Sequence, residues 1–357
     1  MFLNNGVKKR VYYFDLLKII SIMTIFIYHI MMDMFVIHPM HNFSFLEILL
    51  IRPNVHMIMV VCAIFIFISG ATIKLNERNE SMFSFYKRRL TKLLIPFYIT
   101  YIIYFVIKAI TLKNIHLFGG IEKWRFIWTI FGVDEYLNAA GIKTFSLGIG
   151  EWFLGCILIC YILYPLLSYF DKKNKMATFI VLTIYDILIN VFYTKFNFKM
   201  PQHFNVLCQI YNFYLGIFII SFIKDKKNLK VNKIFLNVIC IFVILFLYFC
   251  KIVIKMPDNI KVSIMSVAIC EIFSNFENVI EKNKIIINIL DKFSVISFEF
   301  FLAHHFVIYE VDYLIGYRRV GGFATLFIIF AEILITILFA IIINKMSKSV
   351  NKCLIRK

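Results

Sequence analysis

Long apolar runs, broken at intervals by short clusters of charge, fill the chain from about residue 12 to about residue 343. A helix that crosses a bilayer needs about 20 predominantly apolar residues. Ten stretches come close to that length: Tyr12 to Met34, Val55 to Ile73, Leu93 to Ile110, Gly150 to Phe170, Thr178 to Tyr193, Asn205 to Ile223, Ile234 to Ile254, Ile260 to Phe276, Phe293 to Ile315 and Phe323 to Ile343. The fifth and eighth are short. The pattern predicts an all-α, polytopic integral membrane protein of about ten transmembrane helices, folded as a single membrane-embedded domain over residues 1–357. The longest non-apolar interval is Thr111 to Ile149, with Gly119, Gly120, Trp124, Trp128, Gly141 and Gly148. Trp124 and Trp128 lie one helical turn apart, which suits a short interfacial helix, and a substrate platform is the other reading.

Composition sharpens this picture. Of 357 residues, 61% are hydrophobic and 17% charged, which leaves no room for a large soluble domain. The formal net charge of +18 would in a soluble protein point to nucleic acid. Here the basic residues punctuate apolar runs instead of clustering on a folded face, so the expected partners are membrane lipids and anionic substrates, not nucleic acid. Sorting the 39 Lys and Arg onto alternate sides gives 25 inside and 13 outside, with Lys18 left within the membrane. This bias predicts a multi-pass protein of the cell (plasma) membrane with both termini cytoplasmic and residues 111–149 extracellular. Lys8, Lys9 and Arg10 precede an apolar segment too long for a signal sequence and without a small-x-small cleavage site, so it is expected to be a retained first span. The eight cysteines include no Cys-x-x-Cys pair and lie mostly inside apolar runs. They indicate neither a disulfide framework nor a zinc site, and no metal is expected.

Ionisable residues inside apolar helices are expensive to bury, so each is a candidate for function. On the first span, Lys18 to His29 is eleven steps of about 100°, and Asp15, Lys18 and His29 share one face. Asp15 and Lys18 are spaced to pair at i and i+3 near the cytoplasmic interface. His29 falls about 16 Å deeper, where an imidazole can serve as general base towards a hydroxyl or be a buried histidine satisfied by a neighbouring helix. The basic run Phe85 to Pro96, with Arg88, Arg89 and Lys92, suits either anionic lipid or the phosphates of a nucleotide-bearing substrate. Ser69 and Gly70 end span two as a small pair, compatible with close helix packing. Glu151-Trp152-Phe153-Leu154 opens span four, with Trp152 suited to the aromatic belt. Glu299, His304 and His305 fall within span nine, where adjacent histidines diverge by about 100°. Glu299 and one histidine serve equally well as polar glue between helices or as catalytic groups, whereas the isolated Glu271 and Glu332 read as structural.

In this order, these segments make the chain resemble membrane acyltransferase family 3, the multispanning O-acyltransferases of bacterial surface glycans. The likeness rests on a basic residue eleven positions before His29, the Ser69-Gly70 ending of span two, and an Arg-x-x-Arg-like start before Pro96. It rests also on Trp152-Phe153-Leu154 and on Phe301-Leu302-Ala303-His304. It implies acyl-CoA, acetyl-CoA above all, bound from the cytoplasm as donor and not held permanently. The implied acceptor is a hydroxyl of a surface glycan or of its lipid-linked saccharide precursor. Residue by residue it makes His29 the catalytic histidine, Lys18, Arg89 and Lys92 cofactor-binding positions joined by Arg88, and His304 the late histidine. Asp15, Ser69, Trp152 and Glu299 are supporting or substrate-site candidates. Lys18 and Lys92 stand where the family has Arg, which keeps charge but loses bidentate binding. No appended extracellular esterase-like domain is expected. A glycan exporter or assembly component on the same scaffold is the rival reading, and a cation-coupled transporter would need helices broken at mid-membrane.

Overall fold

A computed structural model describes residues 10–37, 57–111, 120–225, 232–249, 256–315 and 322–355. Lys8, Lys9, Gly119 and Cys250 lie outside them. Among the described residues the regular structure is helical throughout. The main helices are α1 (Tyr12–Ile37), α2 (Met57–Leu75) and α3 (Met82–Thr111), followed after two short ones, α4 (Ile127–Ile130) and α5 (Asp134–Ala139), by α6 (Glu151–Phe192). Then come α7 (Val206–Asp225), α8 (Lys233–Phe249), α9 (Asp258–Ser274), the short α10 (Glu277–Glu281), α11 (Lys284–Ile315) and α12 (Gly322–Ile355).

Seven of the described helical stretches are long and apolar enough to cross a membrane. Three differences separate this from the ten expected. The fourth and fifth expected spans share α6, whose 42 residues would extend about 63 Å as one rod, twice the hydrocarbon thickness. The helix is broken between them: Asn174 has φ −158° and ψ 93°, and its Oδ1 accepts from the Ala177 N–H at 3.0 Å, an N-cap for the second half. The seventh, α8, is apolar but has only 17 residues. The ninth lies on α11, which is long enough, yet Glu299, His304, His305 and Glu310 dilute its apolar run.

The chain packs as two compact units. The first takes residues 1–21, 43–80 and 159–291. Its core joins Phe14 and Leu17 of α1, Ala63, Phe67 and Ala71 of α2, Tyr211 and Leu215 of α7, Leu247 of α8 and Met265 of α9. Helices α2 and α7 touch backbone to backbone. A Cβ on Gly70 would fall 2.0 Å from the Phe213 carbonyl oxygen, and one on Gly216 2.0 Å from that of Phe67. The small residue ending span two thus serves close packing, with Ser69 beside it half-buried.

Polar groups in this unit are matched both within a turn or so of chain and across long sequence separations. Glu277 accepts from the Tyr12 and Tyr13 N–H groups at 3.0 and 2.8 Å, capping the start of α1. Arg10 pairs with Asp15 at 2.6 Å and also with Asp291. Lys18 reaches Asp15 at 3.5 Å, the expected i,i+3 pair. Lys74, buried, lies 3.3 Å from Asp171 and 3.4 Å from Glu77. Asp171 accepts from Ser221 at 2.6 Å, and Glu77 from Ser168 and Tyr164 at 2.8 and 3.1 Å. Burial opposes ionisation of Glu77, but Ser168, Lys74 and Lys172 outweigh it and hold its carboxyl below the usual range.

The second unit takes residues 22–42, 81–158 and 292–357. Here α3 packs along α12. Ser81 caps the start of α3, with the hydroxyl accepting from the Ser84 N–H at 3.2 Å, and the basic run Phe85 to Pro96 is helical. Pro96 sits inside the helix, and the Thr100 hydroxyl donates to the Pro96 carbonyl at 2.8 Å.

Gly216→Ala is expected to cost about 1–3 kcal/mol, because neither backbone at the α2–α7 contact has room to retreat. The readout is a lowered thermal unfolding midpoint in detergent, with Ile241→Ala on the exposed face of α8 as a control that shifts little. Equal midpoints for both variants would remove the close contact as a determinant of stability.

Candidate active site

Three segments far apart in sequence meet inside the second unit. Phe26, one turn before His29 on α1, packs on Phe300, one turn before His304 on α11, with ring centroids 5.6 Å apart. That contact sets the register of the two helices, so His29 arrives opposite His304 and His305, at ring separations of 5.3 and 4.1 Å. The third contributor is Glu151, the first residue of α6. Gly148 and Gly150 before it have φ of +76° and +75°, and Glu151 itself has φ +48°. This left-handed entry, unusual for a residue with a side chain, sets where its carboxylate points.

The four side chains converge on a small volume. Glu151 Oε1 lies 3.2 Å from His29 Nε2, 3.4 Å from His304 Nε2 and 3.1 Å from His305 Nε2. His305 Nε2 is 3.3 Å from His29 Nε2. The Nδ1–H of His304 donates to the Phe301 carbonyl at 2.5 Å, which fixes the tautomer and leaves Nε2 as a lone-pair donor. His304 is buried, whereas His29, His305 and Glu151 keep partial access. Chemically, the cluster offers an imidazole oriented by a carboxylate, the arrangement that makes a competent general base. The same four donor atoms, all within 4.8 Å of one another, suit a metal ion.

Residues 120–150 form a built layer beside the cluster's own unit elements. Tyr101 of α3 donates to the Phe145 carbonyl at 2.6 Å and Tyr98 to the Ile130 carbonyl. Gly155 of α6 lies so close to Tyr136 that a Cβ would fall 2.4 Å from that side chain. Trp124 and Trp128 sit on two successive short helices with rings edge to face at 6.2 Å, and Trp124 is well exposed. Asp134 is buried, accepts from Thr129 at 3.1 Å and from its neighbour's N–H at 2.9 Å, and burial pushes its carboxyl up to about 7. Glu135, which takes the Ser146 hydroxyl, is raised for the same reason.

Of the residues singled out in the sequence, the structure brings His29 and His304 together. Trp152 is buried beside Glu151, ring to ring with Phe153 at 5.9 Å. Glu299 accepts from Asn344 of α12 at 2.8 Å, and the positive charges of Lys92 and Lys348 bear on it, so it ties α11 to α12. On α3, the Arg88 guanidinium stands over the Phe85 ring at 6.0 Å, Arg89 is half-buried and Lys92 exposed. Asp15, Lys18 and Ser69 belong to the first unit, outside the histidine cluster. Sequence reasoning passed over Glu151 and underrated His305. The divergence of adjacent histidines implied that one would turn away, yet both reach the same carboxylate oxygen. The available signal was an acidic residue at the mouth of an apolar span, directly after Gly148 and Gly150.

A family model described as an acyltransferase domain matches residues 11–345, nearly the whole chain. Among curated proteins and among solved structures nothing matches it.

The elevated Asp134 and Glu135 carboxyls give residues 120–150 a predictable pH response. An acid whose pKa rises on folding binds its proton more tightly in the folded state, so the fold loses stability as pH climbs from about 4 through about 7 and then levels off. Amide hydrogen exchange, corrected for its intrinsic pH dependence, is expected to show residues 120–150 opening more readily over that window, and Asp134→Asn to abolish most of the change. A pH-independent opening in the unsubstituted protein would contradict the assignment.

Proposed function

The chain belongs to the acyltransferase 3 family, whose members are acyltransferases acting generally on glycans, and from that premise we propose how this one works. It transfers an acyl group, acetyl above all, from cytoplasmic acyl-CoA to a hydroxyl of a cell-envelope glycan or its lipid-linked precursor. The observation that carries this reading is His29 Nε2 at 3.2 Å from Glu151 Oε1, a base with its orienting carboxylate inside an acyltransferase-family chain. His29 takes the proton of the acceptor hydroxyl as its oxygen attacks the thioester carbonyl. The tetrahedral intermediate collapses, the CoA thiolate leaves, and the imidazolium returns its proton to that sulfur. Glu151 holds the ring in place and stabilises the transient imidazolium, as a buried carboxylate does for a catalytic histidine elsewhere.

Arg88, Arg89 and Lys92 on the first turns of α3 are the proposed contacts for CoA phosphates. Lys18 is assigned to the donor by family resemblance, and it also neutralises Asp15. The chain is a multi-pass membrane protein. On our reading it crosses the plasma membrane ten times with both termini cytoplasmic, counting α6 twice at Asn174 and adding α8 and α11.

In proteoliposomes supplied with labelled acetyl-CoA and a glycan acceptor, His29→Ala is expected to lower transfer by about 10²–10⁴-fold with unchanged folding. Glu151→Gln is expected to lower it by at least ~10-fold. Undiminished transfer by His29→Ala would overturn its role as base, and glycan export without ester formation would favour an assembly component instead.

A further inference from the structure

Four of the six donor-to-donor separations in the histidine cluster match the edges of a tetrahedral metal site. A charge-assisted N–H···O bond is about 2.7–2.9 Å long. Glu151 Oε1 instead has three imidazole nitrogens at 3.1, 3.2 and 3.4 Å. Among the described residues, neither that buried oxygen nor His304 Nε2 makes a hydrogen bond of acceptable angle. Two buried polar atoms are therefore aimed at a common point without satisfying one another. Zinc bound to nitrogen and oxygen at about 2.0–2.1 Å in a tetrahedron requires ligand-to-ligand separations of about 3.3–3.4 Å. The separations to Glu151, and the 3.3 Å between His29 and His305, cluster around that edge length. The widest separation in the set, 4.8 Å, runs from His304 to another imidazole, so the His304 ring must turn inward for all four donors to reach one ion.

The donor chemistry agrees. Three imidazoles and one carboxylate select zinc or a similar first-row ion over magnesium or calcium, which prefer all-oxygen shells. His304 donates its Nδ1–H to the Phe301 carbonyl, the outer contact that metal-bound histidines typically make, and presents Nε2. The partial access left to His29, His305 and Glu151 provides a way in for the ion.

We propose that His29, His304 and His305 through Nε2 and Glu151 through Oε1 form a four-ligand site for a divalent transition-metal ion, zinc above all, whose occupancy silences His29 as a base. The silencing follows from the coordination number. Four protein ligands close a tetrahedral shell and leave no open position for substrate or water, as in structural zinc sites. An imidazole whose Nε2 lone pair is on the ion has none left for a hydroxyl proton. This second part rests on the proposed role of His29; the site itself does not.

The test uses full-length protein in detergent, stripped with a chelator and titrated with Co²⁺ alone. One Co²⁺ per chain, showing the intense visible bands of tetrahedral cobalt and displaced by Zn²⁺, is the expected result. Glu151→Gln and His304→Ala should each weaken binding at least ~10-fold. Since either variant can unfold, size-exclusion profile and thermal midpoint are recorded with each titration, and His305→Ala serves as a third ligand deletion. Absence of tetrahedral bands in the folded, unsubstituted protein, or binding unchanged in all folded variants, would overturn the site. Acyl transfer by the stripped protein should fall at least ~10-fold with one equivalent of Zn²⁺ and return with chelator. Full transfer with zinc bound would overturn the silencing and leave the site standing. Stripped protein that binds Co²⁺ as described yet transfers no acyl group would support the site while sinking the transferase reading, so the two fail separately.

Discussion

Hydrocarbon offers no water to a polar side chain, so each ionisable group on an apolar helix must be met by a group from another part of the chain. That requirement organises this protein. Glu277 answers the open N–H groups at the start of α1. Asp171 and Glu77 answer Lys74, and Asn344 answers Glu299. Apart from the local Lys74–Glu77 pair, each match ties together segments far apart in sequence, and a one-residue slip would leave both partners stranded. Apolar packing brings the helices together, as where Gly70 and Gly216 let two backbones touch, but the polar matches specify which residues face each other.

The histidine cluster obeys the same requirement in a different way. In the matches just named the partners are of opposite charge or paired donor with acceptor. Around Glu151 a single carboxylate oxygen stands among three imidazoles, and the lone pair of His304 Nε2 faces that oxygen with no proton between them. On the proposed function this is where the chain keeps polar groups in reserve for something that arrives later, a proton from an acceptor or an ion.

Much of the fold was legible in the sequence because the signals are local. Apolar runs, basic punctuation and the i,i+3 spacing of Asp15 and Lys18 each depend on a few neighbouring residues. The break in α6 was also legible as the charged stretch Asp171 to Lys175, although the helix resumes after a single extended residue. The site was half legible. His29 and His304 stood out as imidazoles in apolar surroundings, but Glu151 sits at a helix mouth where an acid is unremarkable, since the dipole there favours it. Its importance arises from the turn before it, and a positive φ leaves no mark on sequence beyond nearby glycines. His305 was less legible because the divergence of adjacent helical residues applies to their Cβ directions, whereas an imidazole is long enough to swing its Nε2 back towards a shared partner.

The backbone at Glu151 also bears on how such a protein should be redesigned. A residue with a side chain at φ +48° is one that stability-driven optimisation would replace with glycine or asparagine, either of which adopts that conformation more readily. The exchange would relax the turn and would look beneficial by any measure of folding. It would also delete the only carboxylate in the cluster among the described residues. On the proposed role of Glu151, position 151 is therefore one where thermostability screens and activity screens should select opposite residues.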